Sequence, residues 1–154
     1  LKDMIPLVNE VVKESGRAGV LDVPEHYHGA LFYSRWFRFI NPEMEGKFRA
    51  LRRELGAHPV HLVSCCIYEN CLVNETEKKY EAWGPGEQVL PIAERLVTYF
   101  NSPGYREIRL RAERENHYRL DLDKYEWLKH EREREDTAPG AAVVSGAGPE
   151  PERS

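Results

Sequence analysis

The sequence predicts a mainly α fold: a small irregular helical domain over residues 1–136, with a long charged C-terminal helix and an extended tail at 137–154. Three observations carry this. Apolar residues recur at helical spacing through most of the chain, residues that start and stop helices bracket those stretches, and the periodicity ends at Asp136.

Residues 1–15 carry Ile5, Val8, Val11 and Val12 at helical spacing and stop at Gly16, a residue suited to the left-handed turn beyond a helix end. "RAGVLDVPEHYHG" follows, broken by Gly19, Pro24 and Gly29, and reads as a loop. "ALFYSRWFRFI" is dense in aromatics and interrupted by Arg35 and Arg38. In "NPEMEGKFRALRRELG" the helix grammar is complete. Asn41 caps, Pro42 suits the first turn, and Glu43 and Glu45 meet the positive end of the helix dipole. Met44, Phe48, Leu51 and Leu55 then form one stripe that ends at Gly56. Pro59 starts a further helix expected to run towards Trp83, where "GPG" at 84–86 breaks it.

Residues 87–100 form an amphipathic helix with Val89, Ala93, Leu96, Val97 and Phe100 on its buried side, and Pro91 falls in its tolerant first turn. Ser102-Pro103 starts the charged helix, within which Tyr118, Leu122, Tyr125 and Leu128 keep a stripe. Beyond Asp136, "TAPGAAVVSGAGPEPERS" has no periodicity and much Pro and Gly, the composition of an extended or disordered tail.

Composition narrows the function. The 154 residues suffice for one domain with a real core. A net charge of −4, with acids and bases interleaved along 105–136, argues against a nucleic-acid binder. No apolar run approaches the roughly 20 residues that span a bilayer. The chain opens on Leu1 rather than Met, so a trimmed or processed start is expected. Three cysteines cannot pair completely, and Asn74-Glu75-Thr76 is an isolated sequon, so a reducing or protected compartment is expected.

All three cysteines and two histidines fall in "HPVHLVSCCIYENC". As a helix, it places Val60, Val63, Ile67 and Cys71 on one side and Leu62, Cys66 and Val73 on the other. That pattern predicts a helix packed on two sides, its free cysteines acting as small hydrophobes. A buried strand from Val60 to Tyr68 is the lesser alternative. A zinc site would need four ligands, and this helix offers one useful pair, His61 and Cys65 at i, i+4. His26 or His28 from "HYH" would have to complete it, which defines the alternative function, a metal-binding module or metal-dependent enzyme. General-base work by His26 or His28 lacks a partner motif, since no Gly-x-Ser-x-Gly or phosphate-cradling loop is present. No catalytic residue and no cofactor are therefore expected. Aromatic side chains beside arginine suit a protein–protein contact or a membrane interface. The expected contact residues are Phe32, Trp36, Phe37, Phe39 and Trp127.

Over about residues 91–135 the chain resembles the small helical matrix-side subunit 7 family of the mitochondrial cytochrome bc1 complex. In "IRLRAERENHYRLDLDKYEWLKHERER", Arg111-Ala112, Leu122, Lys124, Glu126-Trp127 and Leu128-Lys129 match that family's run in order and spacing, and "PIAERL" upstream is similar to its "A-x-R-R-L-P". Asp123 stands where the family has proline, and the family's later "Y-L-x-P-Y" portion is missing. The resemblance implies a non-catalytic subunit without a cofactor, facing the matrix at the mitochondrial inner membrane and held by other subunits of a respiratory-chain complex.

Overall fold

The computed structural model describes residues 3–138. It is mostly helical, at 57%, with seven helices among the described residues, and it adds two small antiparallel sheets of three strands each. The helical majority matches the expectation, and the two sheets, which it did not include, make the fold an α/β mix. In order, the elements are α1 (Met4–Glu14), β1 (Gly19–Asp22), α2 (Tyr27–Tyr33), β2 (Arg38–Phe39), α3 (Pro42–Leu55), α4 (Val60–Tyr68), β3 (Leu72–Asn74), β4 (Lys79–Tyr80), β5 (Gln88–Pro91), α5 (Glu94–Asn101), α6 (Pro103–Glu115), β6 (Tyr118–Leu120) and α7 (Leu122–Thr137).

Helix α1 forms as its spacing dictates, and Gly16 adopts φ +69° just beyond it. Helix α3 has the start read from its sequence: Asn41 Oδ1 accepts the Glu43 and Met44 N–H groups at 2.9 and 3.4 Å, with Pro42 in the first turn. Its main helical neighbour is α6, which approaches most closely at Gly46. A Cβ on Gly46 would lie 2.4 Å from the Arg109 carbonyl oxygen and 2.6 Å from the Ala112 Cβ, so hydrogen at this position lets the two backbones meet.

Four segments depart from the sequence reading. The loop after α1 contains β1. The helix from Pro59 ends at Tyr68, because Asn70 turns left-handed at φ 56° and the Cys71 N–H reaches back 2.8 Å to the Cys66 carbonyl. The segment 87–100 divides into β5 and α5. The charged helix divides at Asn116, whose Nδ2 donates 2.8 Å to the Ala112 carbonyl and closes α6. The chain then pairs as β6 before α7 begins under an Asp121 cap. The charged stretch 108–134 therefore folds as helix, strand and helix. Of the expected tail, Thr137 ends α7, and residues 139–154 lie outside the described residues.

The first sheet has the order β1-β5-β2, with Gly19 opposite Pro91 and Phe39 opposite Gln88. The second has the order β4-β3-β6, with Leu72 opposite Leu120. The main core draws residues from both sheets. Phe39, Phe48, Leu51, Leu55, Val63, Cys66, Ile67, Leu72, Tyr118 and Leu120 all bury there, with Trp83, Tyr125 and Leu128 leaning on it. A smaller cluster of Val89, Phe100 and Tyr105 supports the first sheet.

Two expected partner contacts are corrected here. Phe39 is 0% exposed and Phe37 is also buried, so both rings are spent on the chain's own core. Phe39 is further fixed through its backbone. Its N–H donates 3.0 Å to Glu45 Oε2, and its carbonyl accepts the Tyr105 hydroxyl at 2.6 Å. Trp36 is half-buried, whereas Phe32 and Trp127 stay 52% and 61% exposed. The sequon residue Asn74 is also buried. Its Nδ2 donates to Glu81 and Asn116, and its Oδ1 accepts from the Thr76 and Glu77 N–H groups. That amide holds the β3–β4 turn and has no space for a glycan.

Candidate functional site

Helix α4 buries Val63, Cys66 and Ile67 against the main core. It is not packed on two sides. Cys71 lies beyond the helix, Val60 is largely exposed, and the face carrying His61, Ser64, Cys65 and Tyr68 opens on a groove of about 680 Å³. Residues at i, i+3, i+4 and i+7 share one helix face, which is why these four line up. The start of α2 supplies His26 and His28 to the opposite wall, and α7 closes the end with Tyr125 and Arg132. The volume falls within the range of small-ligand pockets, roughly 300–1,000 Å³.

Geometry links these groups in pairs. The His26 and His28 rings stack with centroids 5.4 Å apart, and Tyr68 meets His26 edge-on at 6.1 Å. His28 Nδ1 lies 2.7 Å from Ser64 Oγ. Cys65 Sγ lies 3.7 Å from His61 Nε2 and 4.0 Å from Nδ1. The Arg132 guanidinium bonds Glu69 at 2.5 Å, leaving the groove's acid neutralised. Burial, and then the neighbouring Cys65 thiol, raise the Tyr125 pKa, so this hydroxyl stays protonated at neutral pH and can donate.

The fold thus brings His26, His28, His61 and Cys65 around one groove, as the metal alternative requires. It does not converge them: among the described residues no three His, Cys, Asp or Glu side chains form a set that could hold an ion. His61 and Cys65 are one contact pair, and His28 is turned to Ser64. Nucleophilic chemistry is also poorly served. Ser64 and Cys65 sit inside α4, where their backbone N–H groups are spent in the helix and cannot stabilise an oxyanion. No carboxylate among the described residues is bonded to either His61 or His28 to orient it. Sequence reasoning missed Ser64, Tyr68, Tyr125 and Arg132. The i, i+3, i+4, i+7 series from His61 was a legible signal for the first two, while the α7 residues arrive only through tertiary packing.

The cysteines divide sharply. Burial pushes the Cys66 thiol up to about 12 and also raises Cys71, whereas Cys65 is half-exposed in the groove. A small alkylating reagent is therefore expected to add one label to the native chain, at Cys65, and three after denaturation. Intact mass and peptide mapping measure this. Equal labelling of Cys66 in the native state would contradict the burial. Comparison with protein-family models, with curated proteins and with solved structures yields no match to this chain.

Proposed function

We propose that the chain is a non-catalytic accessory subunit that works by packing against other protein subunits. The assembly suggested by the resemblance at residues 91–135 is a respiratory-chain complex of the mitochondrial inner membrane, on its matrix side. One observation carries the interaction reading. The apolar arc of α1 is wider than the chain's own core can cover. Val12 is buried and Ile5 and Val8 are half-buried, yet Met4, Leu7 and Val11 remain 58%, 62% and 56% exposed. These three fall within about 60° of one another on the helix surface, forming a stripe with no partner among the described residues. Phe32 and Trp127 add large exposed aromatics elsewhere. No helix among the described residues is long and apolar enough to cross a membrane.

The test is the native size of the chain in a detergent extract of its source. It is expected to co-migrate with a large complex and to leave that complex when Leu7 and Val11 are both changed to Asp. Because both side chains are exposed, the double variant should keep its thermal stability within about 0.5 kcal/mol of the parent. A chain that migrates alone at 17.9 kDa would overturn the reading.

A further inference from the structure

A second cavity, of about 250 Å³, lies on another part of the surface and is lined by four arginines. Arg35 comes from the turn after α2, Arg38 from β2, and Arg49 and Arg52 from α3. Glu45, Arg49 and Arg52 stand at i, i+4 and i+7 of α3, which aims them at the same opening. Trp36, Phe37, Phe100 and Val97 complete the wall beside Ser34 and Asn101.

The charge balance is the informative part. Glu45 is the only carboxylate in the lining, and it is already spent. Its Oε2 accepts the Phe39 N–H at 3.0 Å, and its Oε1 accepts Arg49 Nε at 2.8 Å. Arg35, Arg38 and Arg52 have no carboxylate within ion-pair distance among the described residues, and Arg52 lies over the Phe48 ring at 5.9 Å; Arg17, Arg95, Arg106, Arg111 and Arg114 also lack such a partner, so what sets these three apart is that they share one opening. Like charges gathered around one concave opening repel one another, and burial in a cavity weakens the screening that salt provides. The concave shape gathers that positive potential at the opening, so a bound anion relieves it. All this stands in a chain whose net charge is −4.

We propose that this cavity binds a compact phosphate-bearing anion of the diphosphate class. Arg35, Arg38 and Arg52 would contact it, and Arg49 would be fixed behind them by Glu45. Guanidinium forks match phosphate oxygens in pairs, which a lysine cluster would not do. The volume is below the roughly 300 Å³ at which drug-sized pockets begin, and corresponds to about eight water volumes at about 30 Å³ each. That suits a small polyanion better than an extended ligand. The inference is independent of the subunit reading.

Calorimetric titration with inorganic pyrophosphate, orthophosphate and sulfate at about 0.1 M salt, where the Debye length is about 10 Å, tests the proposal. Pyrophosphate is expected to bind more tightly than the other two. Arg35→Gln, Arg38→Gln and Arg52→Gln should each weaken it about tenfold or more, and Arg38→Lys should recover only part of the loss. Arg106→Gln, exposed on α6 away from the cavity, should change nothing. Circular dichroism confirms folding of each variant, which the exposure of Arg35, Arg38 and Arg52 favours. Vesicles containing phosphatidate distinguish the sources of the group. Vesicle binding that pyrophosphate displaces assigns it to a lipid headgroup, and pyrophosphate binding without vesicle binding assigns it to a soluble ligand. The proposal is overturned by no pyrophosphate binding at millimolar concentration, by binding indifferent to the three Gln variants, or by vesicle binding that pyrophosphate leaves untouched.

Discussion

Phe39→Ala is expected to destabilise the fold by about 4 kcal/mol, while Trp127→Ala should cost less than about 0.5 kcal/mol. Both were aromatic candidates for partner contact, and the structure separates them. Phe39 is fully buried, with its ring set edge-on against Phe48 at 5.4 Å and tilted to Trp83 at 6.4 Å. Truncation removes that contact and leaves a void beside rings that cannot collapse into it. The strand backbone offers no relief, because Glu45 and Tyr105 hold both its N–H and its carbonyl. For a chain of this size the loss corresponds to about 8–16 °C in the melting midpoint. Trp127 has little to lose in the isolated chain, since most of its surface already meets water. If the proposed subunit reading holds, its effect should appear instead as release from the complex. A Phe39→Ala variant that melts with the parent would contradict the burial of this ring in the core.

Gly46→Ala is the second large effect, expected at about 3 kcal/mol, the upper end for overpacking. The added methyl would meet the Arg109 carbonyl and the Glu113 N–H, both backbone groups of α6 that cannot swing aside. The helices must separate, and that movement loosens the main helix–helix contact of the molecule. Gly104→Ala provides the control. It lies in the first turn of α6 with nothing within 4 Å, so alanine there should be neutral or stabilise by about 0.5 kcal/mol. Thermal unfolding of the pair measures the difference. Equal midpoints would mean that α3 and α6 do not touch at Gly46.

The helices were legible in the sequence wherever their ends were marked. Asn41, Pro42 and Gly56 bracket α3, and Ser102 with Pro103 starts α6, because capping is a local interaction between neighbouring residues. The strands were not legible for a physical reason. They are two to four residues long, too short for alternation to compete with a helical stripe. Tyr118, Leu122 and Tyr125 fit a helix as well as Tyr118 and Leu120 fit a strand. Pairing with β3, far away in sequence, decides between them. The candidate site shows the same division. The face of α4 could be read from spacing alone, and its meeting with His26 and His28 was an open question that only packing answered. The four-arginine cavity draws on three separate elements, and "SRWFRF" and "FRALRREL" give no sign in sequence that they face each other.

The middle strand of the second sheet has a consequence for synthesis. Strand β3 needs β6 on one side, and its pairing runs from Leu72 to Leu120. A ribosome adding about 5–20 residues per second takes about 2–9 s to travel from the end of β3 to the end of β6. During that interval β3 carries an open edge with Leu72 and Val73 on it, the kind of edge to which another nascent chain can add. Its length of three residues keeps that template short. The brevity that hid the strand from the sequence reading thus limits mispairing while the chain is still being made.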